Sequence, residues 1–221
     1  MFSRSNKRMW FGKNLKDKCI VLDLDETLVH SSEEGVDTLA RLKLLTHPDT
    51  YPLRSRLYAF DVDEGHGRGS RMWGIRRPHL DTFLDFCFNN FGVVCVWSAG
   101  TPNYVESICG QIFDEYPQRI FTRTQCKPTT YEGDSIHTKP LQTMTQTHPK
   151  MSLSNTIILD DKPYSFVENP YNGVLIPEYR PKYKIEDLAA DDITFLKLIA
   201  WFESPVFKHA NDVRKVPRPK L

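Results

Sequence analysis

The chain has almost no net charge. Its 29 lysines and arginines against 28 acidic residues leave +1, which removes any overall pull toward nucleic acid or an anionic membrane. Its five cysteines (Cys19, Cys87, Cys95, Cys109 and Cys126) form no CxxC pair. That excludes a zinc ribbon and a dithiol redox motif. None of them is followed six residues later by an arginine, so a cysteine-based phosphate loop is absent, as are the histidine-rich motifs of two-metal hydrolases. The first residues lack the apolar core of a signal peptide, and no run approaches the ~20 apolar residues of a bilayer span. There is no internal repeat and no low-complexity stretch. These absences lead us to expect a soluble, intracellular protein with reduced cysteines.

What is present is an ordinary globular composition: 221 residues, 40% hydrophobic and 26% charged. That is enough to bury a real core in one domain. The two ends are basic, with Arg4, Lys7, Arg8, Lys13, Lys16 and Lys18 in front and Arg214, Lys215, Arg218 and Lys220 behind. Solvated tails over 1–17 and 205–221, flanking a domain over 18–204, are the expectation.

Three short runs are apolar at consecutive positions: "CIVLDL" (19–24), "VVCVW" (93–97) and "TIILD" (156–160). Consecutive rather than alternating apolar residues mark strands buried on both faces, as in a parallel sheet. Amphipathic helical patterns lie between and after them, at 78–90, 103–113 and 191–203. Strands alternating with helices give an α/β fold with a parallel sheet covered on both sides. The segment from about Ser32 to Trp73 reads instead as two short strands around a Gly-rich turn, a small β insertion after the first strand.

All three buried runs end in polar residues: Asp23 and Asp25, Ser98, and Asp160 with Asp161. In open α/β sheets that edge is where ligands sit. In extended chain Asp23 and Asp25 project to the same side, so one can act as nucleophile and the other as proton donor. Carboxylate nucleophiles that form an aspartyl-phosphate are an established kind of covalent catalysis. Thr27 adds a hydroxyl. Asp160 and Asp161 supply hard oxygens suited to Mg²⁺. Lys139 in "IHTKPL" could neutralise phosphoryl charge, and Ser98 could hydrogen-bond a phosphoryl oxygen. Each residue alone has a plainer reading, Lys139 as a solvated lysine and Ser98 as a turn residue. His30 and His137 read as structural or surface residues, Trp97 and Phe166 as core, and Arg76–Arg77 as a surface pair.

"DLDETLVHSS" resembles the DxDxT signature of the haloacid dehalogenase (HAD) superfamily, in the form used by the FCP/SCP-type phosphatases of the RNA polymerase II C-terminal repeats. The likeness continues through "IRRPHLDTFLDF", "VVCVWSAGTPNYVESI", "SIHTKPL" and "TIILDDKPYSFVENPYNGVLIPEY", over residues 18 to 203 in family order. The resemblance implies a HAD-like Rossmannoid sheet with a small insertion. It implies that Asp23 attacks phosphorus and that Asp25 protonates the leaving serine or threonine oxygen, then deprotonates water. Mg²⁺ would be held by Asp23, the Asp25 carbonyl and Asp161, with Asp160 beside it. Ser98 stands where the family usually has threonine. Arg123 aligns with an arginine that contacts phosphopeptide, and Tyr58, Phe60 and Trp73 are candidates for an aromatic pocket in the insertion.

The leading expectation is therefore a Mg²⁺-dependent protein serine/threonine phosphatase. Its substrate would be a phosphorylated protein such as the RNA polymerase II repeats, with no membrane and no direct nucleic-acid partner. Two alternatives stay open: a small-molecule HAD phosphatase, and a non-catalytic phosphopeptide-binding scaffold.

Overall fold

The structure is a computed structural model that describes residues 15–33, 48, 51–63, 69–131, 133–182 and 184–221. Among these, the strands in chain order are β1 (Cys19–Leu22), β2 (Val29–Glu33), β3 (Leu57–Asp63), β4 (Gly69–Arg76) and β5 (Val93–Trp97). They continue with β6 (Arg119–Phe121), β7 (Lys127–Tyr131), β8 (Asp134–Thr138), β9 (Thr156–Asp160) and β10 (Gly173–Leu175). Helices α1 (Tyr51–Arg54), α2 (Leu80–Asn90), α3 (Pro102–Ile112) and α4 (Leu141–Thr145) precede α5 (Ile185–Ala189), α6 (Thr194–Glu203) and α7 (Pro205–Lys208).

The three apolar runs are neighbours. They form the middle of a parallel sheet ordered β10-β9-β1-β5-β6, with Leu22 paired to Val96 on one side and Leu159 on the other. Alternation along each strand sends Ile20, Leu22, Val94, Val96, Ile157 and Leu159 to one face, and Cys19, Val21, Val93, Cys95, Trp97 and Ile158 to the other. Both faces are covered, which is why both sets are apolar. On the first, α2 and α6 pack together, with Phe83 stacked on Phe195 at 4.4 Å between ring centroids. The second lies under Leu141 and Met144 of α4, with Met151 and Phe166.

All five cysteines are buried and free. Burial pushes the thiol of Cys19 up to about 11 and that of Cys95 to about 12, so neither forms a thiolate at neutral pH.

The insertion is a three-stranded antiparallel sheet, β2-β4-β3. It is one strand larger than a hairpin, because β2 begins at Val29 and pairs with the end of β4 through Val29 and Arg76. In β3 the burial alternates strictly, with Tyr58, Phe60 and Val62 inward.

The C-terminal segment corrects an expectation. Residues 205–221 are not a solvated tail, since Phe207, Val213 and Val216 are buried in the main core. Val213 N–H also donates to Ser154 O at 2.8 Å, and the Arg218 guanidinium lies 6.0 Å from the centre of the Trp201 ring. The basic residues carried by this stretch hide three apolar anchors. At the other end Leu15 is buried, and Lys16 Nζ donates to Phe91 O at 3.2 Å. The remaining basic residues of the front segment up to Lys13 lie outside the described residues. No helix of the described residues is long and apolar enough to cross a membrane.

Candidate active site

Register puts the tips of β1, β5 and β9 level. Asp23 follows β1 directly and its N–H donates to Leu159 O at 3.1 Å, so the chain stays on the sheet for one more residue. It then turns sharply. Leu24 O accepts from the N–H groups of Leu28 at 2.8 Å and Val29 at 3.1 Å. Glu26 takes the left-handed region at φ 55, a conformation that costs a residue other than glycine about 1–2 kcal/mol. Two neighbours clamp the turn: Tyr179 N–H donates to Glu26 O at 2.7 Å, and Arg77 Nη1 donates to Thr27 O at 3.1 Å.

Arg77 is not a surface residue. It is 1% exposed, with Nε and Nη2 on Asp192 Oδ2 at 3.0 and 2.8 Å and Nη2 also on Thr194 Oγ1. Its guanidinium lies over the rings of Tyr179 and Phe195.

The tips open into a cleft of about 580 Å³ lined by Asp23, Asp25, Ser98, Lys139, Asp160 and Asp161. Lys139 follows β8 and is 2% exposed. Its ammonium donates to Asp23 Oδ1 at 2.5 Å and Asp160 Oδ2 at 2.7 Å. Burial alone would lower its affinity for a proton, but the two carboxylates reverse that and raise it. Lys139 is therefore a permanent cation. Asp23 is raised well above the ordinary carboxylate range, first by burial and then by Asp160 and Asp25, with Lys139 opposing. Asp161 is raised as well, by burial and by Asp160 and Glu26.

Asp25 sits across the turn from Asp23. Tyr104 of α3 donates to its Oδ1, and Ser98 Oγ reaches its Oδ2 at a long 3.4 Å while itself accepting from Gly100 N–H at 3.0 Å. Burial, with a smaller push from Glu26, raises Asp25 to about 6.

Asp23, Asp160 and Asp161 each offer one oxygen within 4.8 Å of the others. Asp161 Oδ2 is buried, and its ion-pair partner is the Lys162 ammonium 2.7 Å away. Three carboxylates whose oxygens converge in this way fit a hard divalent cation such as Mg²⁺.

Most site residues read from the sequence meet here. Arg123 stands exposed on the rim, with Nε donating to Ala99 O at 2.7 Å. Thr27 does not reach the cleft. It is fully buried, and its hydroxyl has no partner among the described residues. The aromatic pocket is also corrected. Tyr58 and Phe60 lie on the same face of the small sheet as Val62, Ser70 and Met72 but are buried in the main core, and Trp73, on the opposite face, is buried in a second cluster, so none of the three lines the cleft. The insertion lines it with Glu33, Val62, Ser70 and Met72 instead.

Sequence reasoning missed Tyr104, His137 and Lys162, which also line the cleft. A tyrosine two residues after the N-terminal proline of a helix that starts just past a strand tip was the available signal for the first.

Comparison with known proteins agrees with the geometry. The family model for NLI interacting factor-like phosphatases matches residues 18–214. The CTD nuclear envelope phosphatase 1B of Danio rerio is 27% identical over 168 residues, which is 75% of this chain and 60% of that protein. The CTD small phosphatase-like protein of Homo sapiens is 27% identical over 188 residues, 84% of this chain and 55% of that one. The chain thus spans little more than half the length of these curated relatives. Among solved structures, Fcp1, described as an essential RNA polymerase II CTD phosphatase, superimposes with a TM-score of 0.60 at 15% identity, covering 92% of this chain and 59% of that one. That likeness is one of fold. With the profile spanning nearly its whole length, the chain belongs to the NLI interacting factor-like phosphatase family.

Proposed function

We propose that the chain is a Mg²⁺-dependent protein serine/threonine phosphatase that works through an aspartyl-phosphate on Asp23. The observation that supports this best is the salt link of Lys139 to Asp23 and Asp160, with Asp25 across the turn and Asp161 alongside. Lys139 orients the Asp23 carboxylate and leaves its second oxygen for attack on phosphorus. As the phosphorus–oxygen bond to the serine breaks, Asp25 gives the leaving oxygen its proton. Asp25 then takes a proton from the water that opens the acyl phosphate on Asp23. Ser98 and Lys139 face the transferring group and offset its charge. Bound through Asp23, Asp160 and Asp161, Mg²⁺ would supply the positive charge that these carboxylates and a phosphoryl group together require.

The cleft is lined by the insertion through Glu33, Val62, Ser70 and Met72 and by Arg123 and His137, a lining that suits a phosphoserine or phosphothreonine in extended chain. The names of the relatives make RNA polymerase II repeats the first peptide to try. Buried free cysteines are consistent with a reducing, intracellular setting.

The test is phosphate release from phosphoserine peptides, including polymerase repeats, with and without Mg²⁺, alongside sugar phosphates and nucleotides. We expect Mg²⁺-dependent turnover of peptides that Asp23→Asn abolishes. A strong preference for a metabolite, or tight peptide binding with no turnover, overturns this reading.

A further inference from the structure

Tyr104 hydrogen-bonds a cleft aspartate, donating to Oδ1 of Asp25. Asp25 Oδ2 meets only the distant Ser98 hydroxyl, at 3.4 Å. The two oxygens are therefore unequal: one is held by a close donor and the other is nearly free at the cleft side, where Ser98 also lies.

Tyr104 is itself fixed. Its ring centroid is 6.0 Å from that of Phe60, which stacks on Tyr58 at 5.9 Å. Tyr58 OH shares a 2.8 Å hydrogen bond with Ser31 Oγ. Ser31 belongs to β2, while Tyr58 and Phe60 belong to β3, so the insertion braces the tyrosine from behind.

We infer that Tyr104 is a positioning residue for the proton donor: it pins Asp25 Oδ1 so that Oδ2 carries the transferable proton toward the leaving oxygen. The inference rests on the proposed role of Asp25. In the step it serves, Asp23 forms the new bond to phosphorus and the phosphorus–oxygen bond to serine breaks. The electron pair stays on the serine oxygen, which takes the proton from Asp25 Oδ2. The phenol keeps its own proton and remains hydrogen-bonded to Oδ1.

The role has a signature that a purely structural one lacks. Proton donation matters most for poor leaving groups, and a positioned general acid supplies roughly 10²–10⁴-fold. Tyr104→Phe keeps the ring and removes only the donor. We expect kcat/KM on alkyl phosphates, such as a phosphoserine peptide, to fall about tenfold more than on p-nitrophenyl phosphate, a share of that general-acid effect. Across a series of aryl phosphates the dependence on leaving-group acidity should steepen. Equal losses for every ester, or no loss at all, overturn the inference while leaving the phosphatase reading intact. A wild-type protein that cleaves none of these esters sinks both. A second measurement needs no tyrosine variant: the ring ¹³Cζ resonance of Tyr104 should move in Asp25→Asn, and an unmoved resonance also overturns the proposal.

Discussion

Lys139 and Asp23 are 116 residues apart in sequence and 2.5 Å apart in space, with both side chains under a tenth exposed. A buried cation shared by two carboxylates is expensive to interrupt, because each acid is then left without compensation. Removing one member of such a set costs about 3–5 kcal/mol. We expect Lys139→Met to lose that much stability in urea unfolding, and to lose phosphate release altogether. Added Mg²⁺ should restore part of the stability and none of the turnover. A loss below about 1 kcal/mol, the scale of an exposed pair, would show that the ammonium is not held as described.

Asp25 gives the pH dependence its sign. Burial raises it from the ordinary 3.8 to about 6, so the protonated donor is plentiful below that value and scarce above it. Turnover of phosphoserine peptides should decline as pH rises through about 6, and the decline should be weaker for p-nitrophenyl phosphate. Stability follows the same direction. A carboxyl whose affinity for protons is raised in the folded state contributes stability fully below its unfolded value, lost as pH rises through the folded one. With Asp23 and Asp161 shifted the same way, the metal-free protein should melt higher at pH 5 than at pH 7. Saturating Mg²⁺ should narrow that gap. A metal-free protein most stable at pH 7 contradicts this account.

Arg77 offers a test of the turn that follows Asp23 and carries Asp25. Arg77→Lys keeps the charge for Asp192, but cannot reach Asp192, Thr194 and Thr27 O at once, since lysine lacks the planar fork. Leaving a buried carbonyl and part of a carboxylate unsatisfied costs about 1–3 kcal/mol. The melting temperature should drop, and kcat should fall more than KM changes. A variant matching the wild type in both measures would mean that the turn holds its shape without this clamp.

The strand-tip carboxylates could be read in advance because physics leaves little choice about them: an acid at the end of a run buried on both faces has to point at something. The parallel sheet followed from the same runs. Arg77 could not be read this way, because adjacent arginines look solvated until the partners of one, Asp192 and Thr194, arrive from more than a hundred residues away. The aromatics of the insertion failed differently. Tyr58, Phe60 and Trp73 have the composition of a pocket and of a core alike, and only the packing of the insertion against the rest of the fold decides between them. Phe207, Val213 and Val216 were masked by the basic residues around them. Tyr104 sat inside an amphipathic pattern that explained its ring and gave no hint of its hydroxyl.

The pairing of Val29 with Arg76 brings the two ends of the insertion side by side. The described strands between them form an excursion from the main sheet that touches its acidic tips through Tyr104. Changing the cleft-lining Glu33, Val62, Ser70 and Met72 while keeping Ser31, Tyr58 and Phe60 behind Tyr104 is thus a route to redirecting what the cleft accepts without touching the groups proposed to act on phosphorus.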